Sequence, residues 1–319
     1  MASFDLGKDK AGRRSVVTAE AGTSLREFFS AFPDDAACLA HVFSLHDGGN
    51  PDCPRCGQRG RWQRHARQKH YFHPCGGIVS PMMGTLLERS RIPVQLWFYA
   101  MLHFANSHES IPAPFLAKEL GVSAPTAYRV GSRIRQHLAA LDAGQRLGSA
   151  GGVVTTRLTK IRRIVNDRAN KQNAAMVLVI CDGSRVDCTI VAQPRTRQLR
   201  KVVALKCHRQ SKIVTDCFVT FKALSNYGSN KPIAEFSPSF ERRSETERSV
   251  HGFLQYLNLS FADQFKGVQL DHAWQYFKEY EFRYNRRHRS GSIFWDMVAR
   301  FPPLGPAQVT ALEQRNFFR

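Results

Sequence analysis

The chain has 319 residues, 43% of them hydrophobic, and its 46 Lys and Arg outnumber 26 Asp and Glu to give a formal charge of +20. That apolar content supports buried cores and a multidomain chain, which excludes a disordered polymer, while the charge calls for a polyanionic partner. The longest apolar stretches, such as 92–104, fall short of the roughly 20 residues that cross a bilayer, so no membrane partner is expected, and the N-terminus lacks an apolar secretory segment.

Residues 1–20 are polar and basic and read as a disordered tail. Residues 21–48 read as N-terminal helices, because Leu25, Phe28, Phe29, Phe32, Cys38, Leu39, Val42 and Leu45 recur at helical spacing. Thr23 or Ser24 supplies the N-cap, and Pro33-Asp34-Asp35 divides the run in two.

Residues 49–90 read as a metal module. Eight cysteines without a secretory leader point to a reduced, cytoplasmic setting, where thiols are metal ligands or buried apolar groups. Cys53-Pro54-Arg55-Cys56-Gly57 places two thiolates on a tight knuckle, and His73-Pro74-Cys75-Gly76-Gly77 supplies a second pair for tetrahedral zinc. His70 is the alternative fourth ligand. Between the pairs, Arg59, Arg61, Trp62, Arg64, His65, Arg67 and Lys69 form a basic strip suited to a phosphate backbone, with Arg61, Arg64 and Arg67 as contacts.

Residues 91–147 read as a helix-turn-helix. The helical pattern from Ile92 to Leu141 is divided at 107–114 and at Gly121, after which Ser123 caps the second helix. Leu116, Leu120, Val122, Ala127, Val130 and Ile134 pack the two helices together. Ser123, Thr126, Arg129, Arg133 and Arg135 are the residues expected to reach bases or phosphates, while Tyr128 suits either readout or core.

Gly148–Gly152 reads as a flexible joint and the main domain boundary. Beyond it, β-branched runs at Val153–Ile164, Met176–Ile180, Asp187–Val191, Lys201–Lys206 and Ile213–Thr215 predict strands, with Asp182-Gly183 as a hairpin turn. Helical spacing returns over Glu245–Leu257 and His272–Tyr284, and residues 302–319 read as a loose, Pro-rich tail. The fold class is therefore multidomain α+β with a mixed α/β layer at 148–301.

The chain resembles the ISXO-type transposases of bacterial insertion sequences. The resemblance rests on Leu25-Arg26-Glu27-Phe28 with Phe32-Pro33-Asp34-Asp35, Cys53-Pro54-Arg55-Cys56-Gly57, Gly84-Thr85-Leu86 with Ser90-Arg91-Ile92-Pro93, Leu116 to Val122, Arg133-Ile134-Arg135, Val214-Thr215-Asp216 and Phe282 to Arg287. It implies a zinc ribbon at 49–90, a helix-turn-helix at 91–147 and an RNase H-like DDE domain at 148–301, with double-stranded DNA as partner, a homo-oligomeric assembly and a nucleoid location.

Two departures follow from it. Phe72 stands where the family's third zinc ligand is expected, so His73 would have to complete the site. The DDE triad falls on Thr156, Asp216 and His251, which leaves one acid of the three needed to hold two Mg²⁺ ions. The resemblance thus implies a transposase-derived DNA-binding protein without strand transfer, acting in regulation or nucleoprotein organisation. The alternatives are an active metal-dependent transposase using displaced acids such as Glu245, Glu247, Asp182 or Asp187, and a basic protein-interaction scaffold.

Overall fold

A computed structural model of the protein describes residues 22–66, 68–162, 164–165, 174–225, 234–236, 244–264, 268–288 and 292–318. The basic tail expected at 1–20 and Arg67 lie outside these residues. In chain order, α1 (Leu25–Ala31) and α2 (Asp35–Ser44) precede a small sheet of β1 (Gln63–Arg64), β2 (Tyr71–Phe72) and β3 (Ile78–Val79). Three further helices follow: α3 (Val94–Asn106), α4 (Ala113–Leu120) and α5 (Ala124–Leu141). The rest comprises β4 (Val153–Arg162), β5 (Ile164–Val165), β6 (Ala174–Cys181), β7 (Val186–Val191), α6 (Thr196–Lys206), β8 (Lys212–Thr215), α7 (Phe218–Ser225), β9 (Ala234–Phe236), α8 (Glu245–Gln264), β10 (Val268–Gln269), α9 (Leu270–Tyr284), α10 (Ile293–Val298), α11 (Pro306–Asn316) and β11 (Phe317–Phe318).

Local chemistry sets the first boundaries. Ser24 and Glu27 form a reciprocal capping box on α1, and the Asp34 carboxylate accepts from Ala37 N–H to cap α2. The apolar face of α2 then receives the small sheet, where Phe43 stacks on Tyr71 with ring centroids 3.8 Å apart.

The large sheet has the order β11-β7-β6-β4-β8-β9. β4, β6 and β7 form an antiparallel meander, whereas β8 runs parallel to β4 and β9 parallel to β8. The period of two divides its side chains between two cores. Val177, Val179 and Cys181 of β6 join the larger core, while Leu178 and Ile180 face the smaller one with Val154, Leu199, Val202 and Ile213.

The larger core does not stop at residue 148. It runs from Phe28 through α3 and α5 to α9 and Phe317, so the N-terminal helices and the sheet share one apolar interior. The Gly148–Gly152 segment, expected to be a flexible joint, is a hydrogen-bonded turn: Gly148 N–H donates to Asp182 and Ser211 Oγ to Ser149 O. Among the described residues, no helix is long and apolar enough to cross a membrane.

Two sequence expectations fail. Lys201–Lys206 belongs to α6, not to a strand, because Leu199, Val202, Val203 and Lys206 bury one helical face and the β-branched Val202-Val203 pair misleads. Within the stretch expected to be a loose tail, Pro306–Asn316 form α11 and Phe317–Phe318 form β11. Pro306 sits in the first turn of α11, where its missing N–H costs nothing, and β11 pairs in parallel with Ile190 and Val191 of β7.

Candidate metal centre and nucleic-acid interface

Two turns bring four ligand atoms together. In the first, Cys53 N–H donates to Gln58 O and Gly57 N–H to Cys53 O; in the second, His73 N–H donates to Gly77 O and Gly76 N–H to His73 O. Gly57 and Gly76 take positive φ (71° and 82°), which closes both knuckles without a Cβ penalty.

The Sγ atoms of Cys53, Cys56 and Cys75 and Nδ1 of His73 all lie within 4.8 Å of one another. Cys53 Sγ to Cys75 Sγ is 3.4 Å, Cys56 Sγ to His73 Nδ1 is 3.5 Å, and His73 Nδ1 to Cys75 Sγ is 3.0 Å. A tetrahedral ion with bonds of about 2.0–2.3 Å holds its ligands about 3.5–3.8 Å apart, so the cluster needs only slight expansion to hold a metal such as zinc. A Cβ on Gly77 would lie 2.4 Å from Cys53 Sγ, so glycine keeps the site open. Burial raises the Cys53 thiol pKa, but backbone N–H groups of Arg55 and Cys56 outweigh it and leave the value below the ordinary one, favouring thiolate.

His70 is not in this cluster: its ring stacks on His65 at 5.2 Å and meets Phe72 edge-on. Of the basic strip, Arg61 and Arg64 are exposed, the latter on β1, while Lys69 Nζ turns inward and donates to Ile92 O at 2.6 Å.

α4 and α5 meet at a tight turn. Gly121 adopts the left-handed conformation (φ 61°, ψ 35°) that ends α4, and Leu116, Leu120, Ala127, Val130 and Ile134 are buried between the helices. Ser123 occupies the N-cap position, yet its hydroxyl meets Thr126 Oγ1 at 2.9 Å instead of capping a backbone N–H. Ser123, Tyr128 and Arg129 are exposed and Thr126 is half-buried.

The other two arginines of α5 depart from the sequence reading. Arg133 donates to the carbonyls of Leu86 and Glu88 at 2.9 and 2.8 Å, anchoring the segment that follows the small sheet. Arg135, expected at the interface, is only 4% exposed and pairs with Glu279 of α9 at 2.6 Å. It lies on the same stripe as Gly131 and Leu138, so it faces inward and contacts no outside partner. Periodicity places it there, but its acidic partner is 144 residues away in sequence.

Thr156 and Asp216 lie at one end of the sheet but on opposite faces, Asp216 on the face of Arg157 and Thr156 on the face of Val154. Thr156 is the parallel partner of Thr215, the residue before Asp216. Thr156 Oγ1 and Asp216 Oδ1 are both buried without a hydrogen-bond partner among the described residues, and Asp216 Oδ2 pairs with Arg157 at 3.2 Å. Burial pushes the Asp216 carboxyl up, with Arg157 opposing it. His251 is half-buried on α8, whose first turn reaches β4 through a 2.7 Å contact between Thr246 and Thr155 hydroxyls.

Of the acids named as substitutes, Asp182, Glu247 and Asp187 have structural roles, and Glu245 is exposed at the start of α8. Asp182 Oδ1 accepts from the N–H groups of Ser184 and Arg185 to close the hairpin turn, and Glu247 forms reciprocal bonds with Ser244 at the start of α8. Asp187 is bound by Lys206 (2.7 Å) and Lys278 (3.0 Å); burial opposes its charge, but these lysines hold its carboxyl well below the usual range. Among the described residues, the Cys53 cluster alone gathers three or more His, Cys, Asp or Glu ligands.

A feature not read in the sequence is the cleft, of about 850 Å³, between the Glu88–Ile92 segment and the outer face of α5. Arg89, Arg91 and Arg129 line it. The signal was the pair of arginines in Arg89-Ser90-Arg91, which straddles the boundary between the metal module and the helix-turn-helix. The chain matches no protein-family model and no curated protein.

Proposed function

We propose that this chain is a DNA-binding protein derived from an ISXO-type insertion-sequence transposase, with a zinc ribbon and a helix-turn-helix as its targeting half and an RNase H-like domain that has lost strand transfer. The observation that carries the reading is the outer face of α5: after the glycine turn it presents Thr126 and Arg129 outward, where a helix seated in a groove would contact bases or phosphates. The basic sheet beside the Cys53, Cys56, His73 and Cys75 cluster supports a second stretch of backbone contact through Arg61 and Arg64. The antiparallel meander continued by parallel strands supports the RNase H-like assignment.

The residues present do not fit a two-Mg²⁺ centre. Thr156 and His251 offer a hydroxyl and an imidazole where hard carboxylate oxygens are needed, so Asp216 lacks the partners to bridge two ions. Zinc fits the donor set of three thiolates and one imidazole and would brace the small sheet. The reading makes the protein a nucleoid-associated factor that binds duplex DNA as an assembly of copies.

Fluorescence anisotropy with labelled duplex at about 0.15 M salt tests the reading, with binding expected to weaken linearly in log salt concentration. Affinity no better than that of a neutral control protein would overturn it. The unpartnered oxygen of Asp216 favours one second reading, an active nuclease or transposase. Mg²⁺- or Mn²⁺-dependent nicking abolished by Asp216→Ala would establish that reading instead.

A further inference from the structure

The segment that leads from the small sheet to α3 is fastened at three places. Lys69 holds Ile92 O, the Trp97 indole N–H donates to Ser90 Oγ at 2.8 Å, and Arg133 holds the carbonyls of Leu86 and Glu88. Between these points Arg89 and Arg91 project outward, and the Arg89 side chain is 91% exposed. Arg89 also takes a positive φ of 56°, a left-handed backbone that a residue with a Cβ keeps only where its surroundings enforce it. The fastenings on either side enforce it here, and the result is an arginine aimed away from the core.

Across the cleft stands α5 with Thr126, Arg129 and Gln136. Among the described residues of the lining, Glu88 is the one acid, and its carboxylate accepts from Gly84 N–H at 3.1 Å and approaches Arg89 at 3.5 Å. Both walls are therefore cationic, with a hydroxyl and an amide between them. Guanidinium forks, hydroxyls and amides are the donors that bind phosphate oxygens, and the cleft, at about 850 Å³, is far larger than one phosphate group. That size suits successive phosphates of a strand over a single small anion.

We propose that this cleft seats the phosphodiester backbone of duplex DNA, held by Arg89 and Arg91 on one wall and Arg129 on the other. The proposal rests on the DNA-binding reading above and adds to it a strand path between the metal module and α5. Because the segment's backbone is fastened before DNA arrives, binding has to order only the arginine side chains.

The test is the double substitution Arg89→Gln, Arg91→Gln in the full chain, titrated with two duplexes of unrelated sequence at several salt concentrations. The expected result is an affinity loss on the order of 10-fold at 0.15 M salt on both duplexes, with the slope of log affinity against log salt reduced by about 1–2. An unchanged slope overturns the proposal while leaving the DNA-binding reading intact, and so does a loss confined to one duplex, which would mean base contact. Failure of the unsubstituted chain to bind either duplex overturns the underlying reading. A competition arm with inorganic phosphate at constant ionic strength separates the sources of the anion: displacement of DNA by millimolar phosphate beyond a chloride control would make the cleft a free-anion site and overturn the strand path. Circular dichroism and thermal melting of the variant are expected to match the parent, since both side chains project into solvent.

Discussion

Arg135 Nε lies 2.6 Å from a carboxylate oxygen of Glu279, and the pair joins α5 to α9 in the interior. Glu279 also accepts from Ser110 Oγ at 2.5 Å and from Arg283 at 2.6 Å, so one carboxylate organises two guanidinium groups and a loop. Burial opposes its charge, but Arg135 and Arg283 keep its carboxyl below the usual value. Removing one partner strands the rest. Glu279→Gln is expected to cost about 3–5 kcal/mol in urea unfolding, because two buried arginines lose their counter-charge. Arg135→Met should likewise lower stability and leave the salt slope of DNA binding unchanged in the folded fraction. A stable Arg135→Met protein with a reduced slope would return Arg135 to the interface.

The metal cluster makes a stoichiometric prediction. Purified protein is expected to carry one zinc per chain by elemental analysis, and Cys53→Ser, Cys56→Ser, His73→Ala or Cys75→Ser to lose it. His70→Ala should retain the ion, since its ring lies with His65 and Phe72. Gly77→Ala should also lose metal, because the new methyl would lie 2.4 Å from Cys53 Sγ. Retention of zinc by His73→Ala together with its loss from His70→Ala would reverse the ligand assignment.

His137 predicts a sensitivity to acid. The ring is fully buried on α5, Nε2 meets Met297 O at 2.8 Å, and burial lowers its pKa from 6.5 to about 4. The folded state therefore favours the neutral ring. Its contribution is complete above pH 6.5 and is lost as pH falls through about 4, and a shift of this size is worth about 3 kcal/mol. Urea midpoints should decline between pH 6.5 and 4, and His137→Leu should flatten that decline even if it lowers the plateau. An equal decline in both proteins would assign the acid sensitivity elsewhere.

An acid at Thr156 tests the geometry around Asp216. Thr156→Asp puts an unpaired carboxylate on the buried face opposite the one where Asp216 meets Arg157, and this should destabilise the fold by ~2 kcal/mol or more. Because the two carboxylates would face away from each other, Mn²⁺ should raise the melting temperature of neither Thr156→Asp nor the parent. An equal rise in both proteins would mean that the parent already binds the ion.

Sequence was most informative where the signal is local. The Ser24 cap, the Pro33 break, the Asp182-Gly183 turn and the Gly121 break depend on residues within a few positions of each other, and the two knuckles declare themselves by spacing. It was least informative where partners are distant. Periodicity turns Arg135 inward with Gly131 and Leu138, yet the acid that compensates its buried charge lies in the C-terminal third. Residues 306–318 were misread because prolines were weighed as breakers, while the edge of β7 that Phe317 and Phe318 complete is far upstream. The Arg89–Arg91 wall was missed because tertiary fastening, through Lys69, Trp97 and Arg133, is what gives those arginines a direction.

The pairing of β11 with β7 also has a consequence for synthesis. β7 emerges from the ribosome long before Phe317 and Phe318, and until they arrive its outer N–H and C=O groups form an open edge beside Ile190 and Val191. A nascent chain with such an edge can recruit a strand from a neighbour. β11, which follows β7 in the chain by more than 120 residues, is thus the strand that guards the growing polypeptide against its own copies.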